Sequence, residues 1–353
     1  MLSELFVRDF RCFAEGRLRP HPELTVLVGR NAQGKTSLLE AACVLLRLQS
    51  PRTASRTDLI RFGPATCLVE GQVGGHRLRF AQGARVRRLA VDGAVCTRSA
   101  EYLALSGRVV WMDHRDMGLL RGGAEQRRRY LDFAASQVFT DYLPALRGYE
   151  RALRGRNHVL KRDAVIAWRQ ADAFAGVMDG FARILRGRRA ELTAALAPEA
   201  AGAHTVLSGG AETAEVAYQS GQDNEDLASQ LAGLRLEEQR QRVTLAGPHR
   251  DDLQLSLNGM DATAFASEGQ QRSLAVAMKV AQARVLQTAC GTPPLLLVDD
   301  VFGELDAHRR RALLALLPAG TQKILTTTSL DWAAADEVEG EVWRVEGASL
   351  QPA

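Results

Sequence analysis

Residues 24 to 48 constrain the fold of this chain more than any other stretch. An apolar run, Leu24–Val28, leads into a loop framed by glycines, and a helix-like run from Ser37 to Leu48 follows. The loop has the spacing of glycine, four residues, glycine, lysine and threonine, which is the pattern of a phosphate-binding loop. A chance glycine-rich turn could have the same spacing, but the strand and helix beside it favour a nucleoside triphosphate site in an α/β fold.

Each fixed position of this loop has a chemical role. Gly29 and Gly34 allow backbone torsions and close approaches that a Cβ would forbid, so that amide N–H groups can point at phosphate oxygens. Lys35 is expected to reach the β and γ phosphates and Thr36 to bind Mg²⁺, while the helix N-terminus adds positive potential. We therefore predict ATP and Mg²⁺ as cofactors. The predicted nucleotide contacts here are Gly29, Arg30, Asn31, Ala32, Gln33, Gly34, Lys35, Thr36 and Ser37.

Size and composition describe an ordinary globular protein. The chain has 353 residues, enough for about two domains, with 46% hydrophobic and 24% charged residues and a net charge of +4. It contains no apolar run of the roughly 18 residues that a membrane-spanning helix needs, and charges interrupt the opening segment where a signal peptide would be apolar. We expect a cytoplasmic protein that does not act at a membrane.

The sequence before and after the phosphate loop predicts that the first part of the chain is rich in β-strands. Residues 2 to 13 alternate apolar and polar side chains as a half-buried strand would, and from Asp58 to about Val110 short alternating runs are separated by turns such as Asp92-Gly93. We expect an antiparallel β subdomain beside a mixed central sheet, and assign residues 1–118 to this first part.

An arginine-rich helical lobe is predicted from residue 119 to residue 242. Apolar stripes in its first half indicate two helices, interrupted near Pro144 and joined by a turn at residues 154–157, with helices of about 22 residues that reach about 33 Å. Residues 119–191 contain 15 arginines and lysines against 8 acidic residues, a balance of +7, so the rest of the chain sums to −3. Such clustering can neutralise nucleic-acid phosphates, although a solvated helical face would look the same. The candidate DNA contacts are Arg127, Arg128, Arg151, Arg154, Arg156, Lys161 and Arg162.

The last part, residues 243–353, contains two further motifs. Ser267-Glu268-Gly269-Gln270-Gln271 opens a long helix with Ser267 as its N-cap, and a helix start of this kind can receive an anion. By itself it would be an ordinary capped helix, but beside a phosphate loop we assign nucleotide contacts to Ser267, Gly269, Gln270 and Gln271.

The second motif is an apolar strand, residues 294–298, that ends in Asp299 and Asp300. Carboxylates at the C-terminal edge of a buried strand lie where open α/β sheets bind ligands. We expect Asp299 to hold Mg²⁺ beside Thr36 and Asp300 to orient and deprotonate the attacking water, with Lys35 as the third catalytic residue. Two helix-capping aspartates are the alternative.

These motifs together resemble the ABC-type ATPase heads of SMC-like proteins and, more narrowly, the RecF family of bacterial DNA replication and repair proteins. The resemblance spans nearly the whole chain. It is carried by the phosphate loop and the two later motifs together with Asp9-Phe10-Arg11, Arg127-Arg128-Arg129-Tyr130-Leu131-Asp132, Gly247-Pro248-His249-Arg250-Asp251-Asp252 and Gly303-Glu304-Leu305-Asp306.

The resemblance implies an ABC-type head built from both ends of the chain and a mainly helical lobe. It implies a homodimer formed with ATP, slow DNA-dependent ATP hydrolysis, and binding of single- and double-stranded DNA at gaps and junctions. It also implies work with RecR and RecO in loading RecA, in DNA repair, replication, recombination and the SOS response. The alternative is the ATPase subunit of a transporter, or another ABC-type mechanical ATPase that does not act on DNA.

This sequence departs from the general ABC pattern at two positions. ABC heads place glutamate after the aspartate of the second motif, where this chain has Asp300, and histidine at the end of the next strand, where it has one of the threonines 326–328. The shorter carboxylate and the missing histidine predict slow turnover.

Overall fold

The computed structural model describes residues 1–53, 55–221, 226–302, 305–330 and 340–353. They form two compact units: Met1–Asp116 with Gln282–Ala353, and Met117–Ala281. The first unit therefore uses both ends of the chain. Residues 243–281, which we assigned to the ATPase head, cluster with the second unit, so that their functional assignment stays a prediction.

The strands of the first unit form two six-stranded sheets. The strands are β1 (Leu2–Phe10), β2 (Phe13–Leu18), β3 (Leu24–Val28), β4 (Thr66–Val73), β5 (His76–Gly83), β6 (Arg87–Val91), β7 (Ala94–Cys96), β8 (Val109–Asp113), β12 (Leu295–Asp299), β13 (Lys323–Thr327), β14 (Glu341–Glu346) and β15 (Ser349–Pro352). The second unit contains β9 (Ala214–Gln219), β10 (Asp252–Leu257) and β11 (Met260–Asp261), which form a three-stranded sheet.

The helices are unevenly divided. The first unit contains α1 (Lys35–Arg47), α2 (Ser99–Leu105) and α11 (Ala307–Leu316). The second contains α3 (Gly118–Arg121), α4 (Ala124–Val138), α5 (Tyr142–Arg162), α6 (Trp168–Leu207), α7 (Leu227–Gly233), α8 (Arg235–Gln241) and α9 (Ala262–Phe265). The unit boundary falls inside α10 (Glu268–Cys290).

One sheet of the first unit is antiparallel throughout, in the order β2-β1-β4-β5-β6-β7. Its tight β6–β7 turn has positive φ at both central residues, Asp92 (φ 52°) and Gly93 (φ 84°). That geometry is what an Asp-Gly pair favours in a two-residue hairpin. The predicted antiparallel subdomain is confirmed.

The other sheet has the order β15-β14-β3-β13-β12-β8, with only β15 antiparallel to its neighbour. Helix α1 packs against strands of both sheets, and all its residues except Thr36 are buried. A helix buried on all sides reads as an apolar run without polar alternation, as residues 41–46 do. Helix α1 therefore fixes the loop that precedes it.

The predicted turn at residues 154–157 is wrong. These residues lie inside α5, and the chain turns after Arg162 instead. A Cβ on Gly155 would lie 2.5 Å from Cε1 of Phe174, and one on Gly148 equally close to the ring of Phe181. Both glycines thus let α6 approach α5 closely, which is a packing role that looks like a turn signal in sequence.

Helix lengths differ from expectation as well. Helix α6 has 40 residues, about 60 Å at 1.5 Å per residue, although it contains Pro198. The break expected near Pro144 occurs just before it, between α4 and α5, so that Pro144 lies in the first turn of α5, where proline is tolerated. The last part of the lobe forms two short helices, α7 and α8.

Candidate nucleotide-binding site

Four neighbouring parallel strands bring their C-terminal ends to one edge of the mixed sheet. The phosphate loop follows β3, threonines end β13, Asp299 ends β12 and Asp113 ends β8. Open α/β sheets bind ligands at this edge. The two motifs that the sequence analysis found 263 positions apart, at Thr36 and Asp299, therefore lie side by side.

The loop adopts the backbone geometry that its glycines predict. Gly34 has φ 108°, and a Cβ there would lie within 3 Å of Phe13 and of the Cys12 sulfur. A Cβ on Gly29 would overlap the Val345 carbonyl oxygen. Ala32 also has positive φ, 65°, which a residue with a Cβ rarely adopts. Larger side chains at either glycine would displace the loop.

Side chains of the loop hold it in shape. Oε1 of Gln33 accepts a 2.6 Å hydrogen bond from the Gly347 amide between β14 and β15. The Lys35 ammonium, only 3% exposed, donates to the carbonyls of Gly29 (2.8 Å) and Arg30 (3.2 Å). Gln33 and Lys35 are thus bound to the protein's own backbone, and Lys35 can exchange its carbonyl partners for phosphate oxygens.

The predicted metal ligands, Thr36 and Asp299, are in contact. The Thr36 hydroxyl donates to Oδ1 of Asp299 over 2.7 Å. Burial raises the pKa of Asp299, whose charge is stabilised by hydrogen bonds from Thr36 and Thr326. Two hard oxygen donors at the mouth of a phosphate loop suit Mg²⁺, which completes its shell with water and nucleotide oxygens.

Asp300 directly follows Asp299 at the end of β12, and 39% of its side chain is exposed. Its Oδ1 is 3.8 Å from the Lys35 ammonium. Its backbone has φ 58°, and its amide donates to the Thr326 hydroxyl over 2.8 Å. That hydroxyl is also 3.0 Å from Oδ1 of Asp299. The same hydroxyl is 3.3 Å from Oδ1 of Asp300, so that Thr326, near the end of β13, bridges the two carboxylates.

A cavity of about 590 Å³ opens in front of the loop. Loop residues 31–37 and Asp300 line it, and so do residues that the sequence analysis did not assign to the site. These additional lining residues are Arg11, Cys12, Arg52, Asp58 and Ile60. Two of these residues, Arg11 and Arg52, place positive charge near the phosphate loop, and this charge would attract a nucleotide.

Glu40 explains why Arg11 lies there. This fully buried carboxylate of α1 accepts two hydrogen bonds from the Arg11 guanidinium, at 2.6 and 2.8 Å. It also accepts from Ser50 (2.5 Å) and Arg52 (3.1 Å). A buried acid in an otherwise apolar helix is the signal that could have indicated a basic partner.

Asp113 was missed as well. It is paired in register with Asp299 across β8 and β12, is 4% exposed, and accepts hydrogen bonds from Trp111 and Arg115. Its charge contributes to the raised pKa of Asp299, after the larger effect of burial. An aspartate after the apolar run Val109–Met112 is the same strand-end signal that identified Asp299.

The Ser267 motif lies in the second unit. The Gln270 amide donates to the Ser267 hydroxyl (3.4 Å), and Oε1 of Gln270 accepts from the Ser267 amide (2.7 Å), which is a capping box. Gln271 is buried and accepts from Arg121. Ser267 is exposed, whereas Gly269 and Gln270 are half-buried. The predicted N-cap is confirmed, and its nucleotide contacts stay a prediction.

The structure corrects two of the candidate DNA contacts. Arg156 is fully buried, with a bidentate pair to Glu238 at 2.7 and 2.8 Å, and Arg127 forms one with Asp252 at 2.7 and 2.8 Å. Neither guanidinium is available to a phosphate. Half-buried Arg128 donates to the Asp251 carbonyl. The remaining candidates, all exposed, are Arg151, Arg154, Lys161 and Arg162.

Three of the solved structures that this chain resembles match its whole length. A solved structure of the recombination mediator protein RecF in the RecFOR pathway, with ATPrS, superposes with a TM-score of 0.88 at 26% identity, covering 100% of this chain and 98% of that one. The corresponding RecF-ATP structure gives 0.87 at 25% identity, covering 100% and 97%. An SMC head domain from Pyrococcus furiosus gives 0.56 at 15% identity, which shows the fold alone, over 100% and 95%. Fold and site together define an SMC-like, ABC-type ATPase head.

Sequence comparisons specify the family. Residues 4–92 match the family model of an AAA domain. DNA replication and repair protein RecF of Anaeromyxobacter sp. (strain Fw109-5) is 40% identical over 99% of both chains, and that of Symbiobacterium thermophilum is 36% identical over 94% of this chain and 92% of the relative. The chain belongs to the RecF family of DNA replication and repair proteins. No helix in the described part of the chain is long and apolar enough to cross a bilayer.

Proposed function

We propose that this protein is an ATP-controlled DNA-binding clamp of recombinational repair, which acts in the cytoplasm. Two copies would close over two ATP molecules, hold single- or double-stranded DNA at gaps and junctions, and assist RecA loading together with RecO and RecR. Family membership supports this role over that of a transporter subunit. The observation that carries the ATP part is the convergence of Lys35, Thr36 and Asp299 at one sheet edge.

In this proposal the chain's own residues divide the work at the phosphates. Lys35 would leave the Gly29 and Arg30 carbonyls for the β and γ phosphates, and Thr36 and Asp299 would hold the metal. Mg²⁺ would supply charge neutralisation at the phosphates. Asp300, the exposed carboxylate beside Lys35, would orient the attacking water and accept its proton. Because its side chain is one methylene shorter than glutamate, we expect slow hydrolysis.

Dimerisation follows from the two anion receptors. In ABC-type heads the phosphate loop of one copy and the serine-capped helix of the other bind the same ATP. Each chain here carries one phosphate loop and one exposed Ser267 at a helix start. Binding of the γ phosphate would then favour the closed dimer, and hydrolysis would release it.

The DNA part rests on one face of α5. The α5 stripe, as we call it, consists of basic side chains spaced four, three, four and three residues apart, so that they lie on one side of the helix. Its members are Arg147, Arg151, Arg154, His158 and Lys161. Arg147 is half-buried and the others are exposed, and Arg151 and Lys161 have no ion-pair partner within the described ranges. The stripe is about 21 Å long and could follow a phosphate backbone.

Three variants test the clamp by sedimentation and by titration of gapped, duplex and single-stranded DNA, with and without ATP at two salt concentrations. Lys35→Arg should weaken nucleotide binding, because the wide guanidinium fits the loop poorly. Asp300→Asn should trap the dimer with ATP. Ser267→Arg should retain ATP binding in the monomer and lose dimerisation.

Each variant has a contradictory outcome. If Lys35→Arg still dimerised fully with ATP, the proposed role of Lys35 in nucleotide binding would be wrong. Asp300→Asn that stays monomeric at saturating ATP would contradict the trapped state. Loss of ATP affinity in monomeric Ser267→Arg would show that the helix start belongs to the monomer's own site. Wild-type protein that stays monomeric with Mg²⁺ and a non-hydrolysable analogue would refute the clamp.

A further inference from the structure

The second unit has a groove along the outer edge of its small sheet. The sheet order is β11-β10-β9, so that within the described ranges β9 pairs with β10 alone and its other edge forms no ladder. The groove has a volume of about 640 Å³. Val216, Ala217 and Tyr218, three consecutive residues of β9, line it. Since consecutive side chains of a strand point to opposite faces, a groove that contacts all three runs along the strand edge.

The opposite wall is one face of α6. Its lining residues recur at helical spacing from Arg183 to Ala194, and the central ones are small, Gly187 and Ala190. This wall is about 16 Å long, which matches an extended segment of about five residues. Small side chains on the helix leave room for a strand. Exposed strand edges recruit further strands, and proteins commonly protect them with charge, bulges or a covering element.

Thr193 gives an independent indication of a missing partner. It lines the groove, is 3% exposed, and its hydroxyl has no hydrogen-bond partner in the part of the chain that the structure describes. A buried hydroxyl without a partner costs free energy unless something fills the site. A backbone carbonyl or amide of a bound segment could satisfy it.

The charge of the groove selects the occupant. Arg183 and Arg186 lie at one end. Arg183 is 78% exposed and, among the described residues, pairs only with Asp179 on its own helix. Arg186, 18% exposed, donates to both carboxylate oxygens of the buried Asp251 at 3.3 and 3.4 Å, which leaves its Nη1 for a further partner. A second copy of the groove would bring like charges together, and DNA has no backbone donors and acceptors that match a strand edge. An acidic peptide could form main-chain hydrogen bonds with the β9 edge and place a carboxylate beside the arginines.

We propose that the groove between α6 and β9 binds an extended segment of a partner protein by strand addition, with an acidic side chain of that segment placed at Arg183 and Arg186. Main-chain hydrogen bonds to β9 would supply affinity, and the two arginines would select the acidic partner. This site is separate from the phosphate loop, so it requires neither nucleotide nor DNA.

A pair of synthetic peptides tests the proposal. Both have alternating threonine and valine, and the centre carries glutamate in one and lysine in the other. Binding to the full chain is measured by fluorescence anisotropy, and amide hydrogen exchange is followed at residues 216–218. We expect the glutamate peptide to bind at least tenfold more tightly than the lysine peptide, less tightly at high salt, and to protect those of the three amides that point away from β10.

Matched variants locate the binding site. Ala194→Leu fills the groove and should reduce peptide affinity at least tenfold, whereas Ala195→Leu, at the neighbouring exposed position outside the groove, should not. Leucine suits a helix, so both variants should fold. Thr193→Val should weaken peptide binding and raise Tm, because it removes the unpartnered hydroxyl. A hydroxyl with a purely structural role would lower Tm when removed.

Several outcomes would overturn the proposal. Equal affinity for both peptides, or equal loss in Ala194→Leu and Ala195→Leu, would rule out selective strand addition. Dimers that form without nucleotide and disappear in Ala194→Leu would show that a second copy fills the groove. Displacement of the peptide by duplex DNA at low salt would assign the groove to DNA. The clamp of the preceding subsection would survive all of these results.

Discussion

The nucleotide edge of the first unit and the interior of the second unit both contain buried charged groups, but they use them in opposite ways. At the edge, the Lys35 ammonium donates to two backbone carbonyls and lies 3.8 Å from Asp300. In the second unit, Arg156 forms a bidentate pair with Glu238, and both side chains are fully buried. The first cation has partners that a ligand can replace, and the second does not.

This difference shows that the residue type alone does not tell whether a buried charged side chain binds a ligand or stabilises the fold. Residues 119–191 of the second unit carry a net charge of +7, yet part of that charge is used internally, since Arg189 donates to Asp132 and to the Pro248 carbonyl. The neutral ring of His249 likewise joins Tyr149 to the carbonyl of Thr244. A buried pair is costly to break because one charge is left without a partner. Mutations should therefore act on stability in one region and on binding in the other.

The largest effect is expected from Glu238→Ala. It leaves the Arg156 guanidinium buried without its carboxylate and should lower the free energy of unfolding by about 3–5 kcal/mol, measured by urea denaturation. Glu150→Ala, which removes an exposed pair with Arg154 in the same helix, should change it by less than about 0.5 kcal/mol. Similar losses for the two variants would contradict the contrast between buried and exposed pairs.

Lys35→Ala should affect binding instead. Loss of a charged hydrogen-bond donor to phosphate should weaken ATP by about 1.5–3 kcal/mol, or about 10- to 150-fold, measured by calorimetric titration. Lys323→Ala is the matched control, since this lysine begins the neighbouring strand β13 and donates to Thr321. If both variants bound ATP equally well, Lys35 would have no role at the phosphates.

His249 predicts a pH dependence of stability. Burial lowers its pKa to about 4, and its Nδ1 accepts from the Tyr149 hydroxyl, which requires the neutral ring. As pH falls through about 6.5, His249 takes up a proton in the unfolded state but stays neutral in the folded state. The stabilising contribution of the neutral ring to the unfolding free energy is therefore fully present above pH 6.5 and is lost as pH falls towards 4. Unfolding free energy should fall by about 2 kcal/mol between pH 7 and pH 5.

His249→Gln is the control for that measurement. Glutamine does not titrate, so this variant should show little change over the same interval, even if it is less stable at pH 7. The carboxylates whose pKa is lowered, such as Asp252, contribute mainly below this interval. An unchanged pH dependence in the variant would assign the effect to another group.

The smallest effect on stability is expected from Arg151→Ala in the α5 stripe. Arg151 is exposed and has no ion-pair partner among the described residues, so the unfolding free energy should change by less than about 0.5 kcal/mol. The slope of log K for DNA against log salt should fall in magnitude by about 0.9. Arg98→Ala, at an exposed position of the first unit, should leave the slope unchanged. An unchanged slope in Arg151→Ala would exclude Arg151 from the DNA interface.

The sequence by itself determined the features that depend on local torsions and spacing. It located the strand, loop and helix around Gly34, the Asp92-Gly93 turn, and the cap at Ser267. It also indicated Asp299 at a strand end. Glycine at positive φ, hairpin turns and caps are decided by neighbouring residues, so a short stretch contains the necessary information.

Only the tertiary structure decided which side of an element meets a distant one. The Gly303-Glu304 part of one motif lies outside the described residues, but elsewhere the contrast is clear. Arg156 and Arg151 are five positions apart on one helix, and only contact with Glu238 and Thr244 makes the first internal. The glycine at position 155 suggested a turn, because the neighbouring sequence does not show that the ring of Phe174 packs against it. Such roles depend on packing between segments far apart in sequence, which local patterns do not encode.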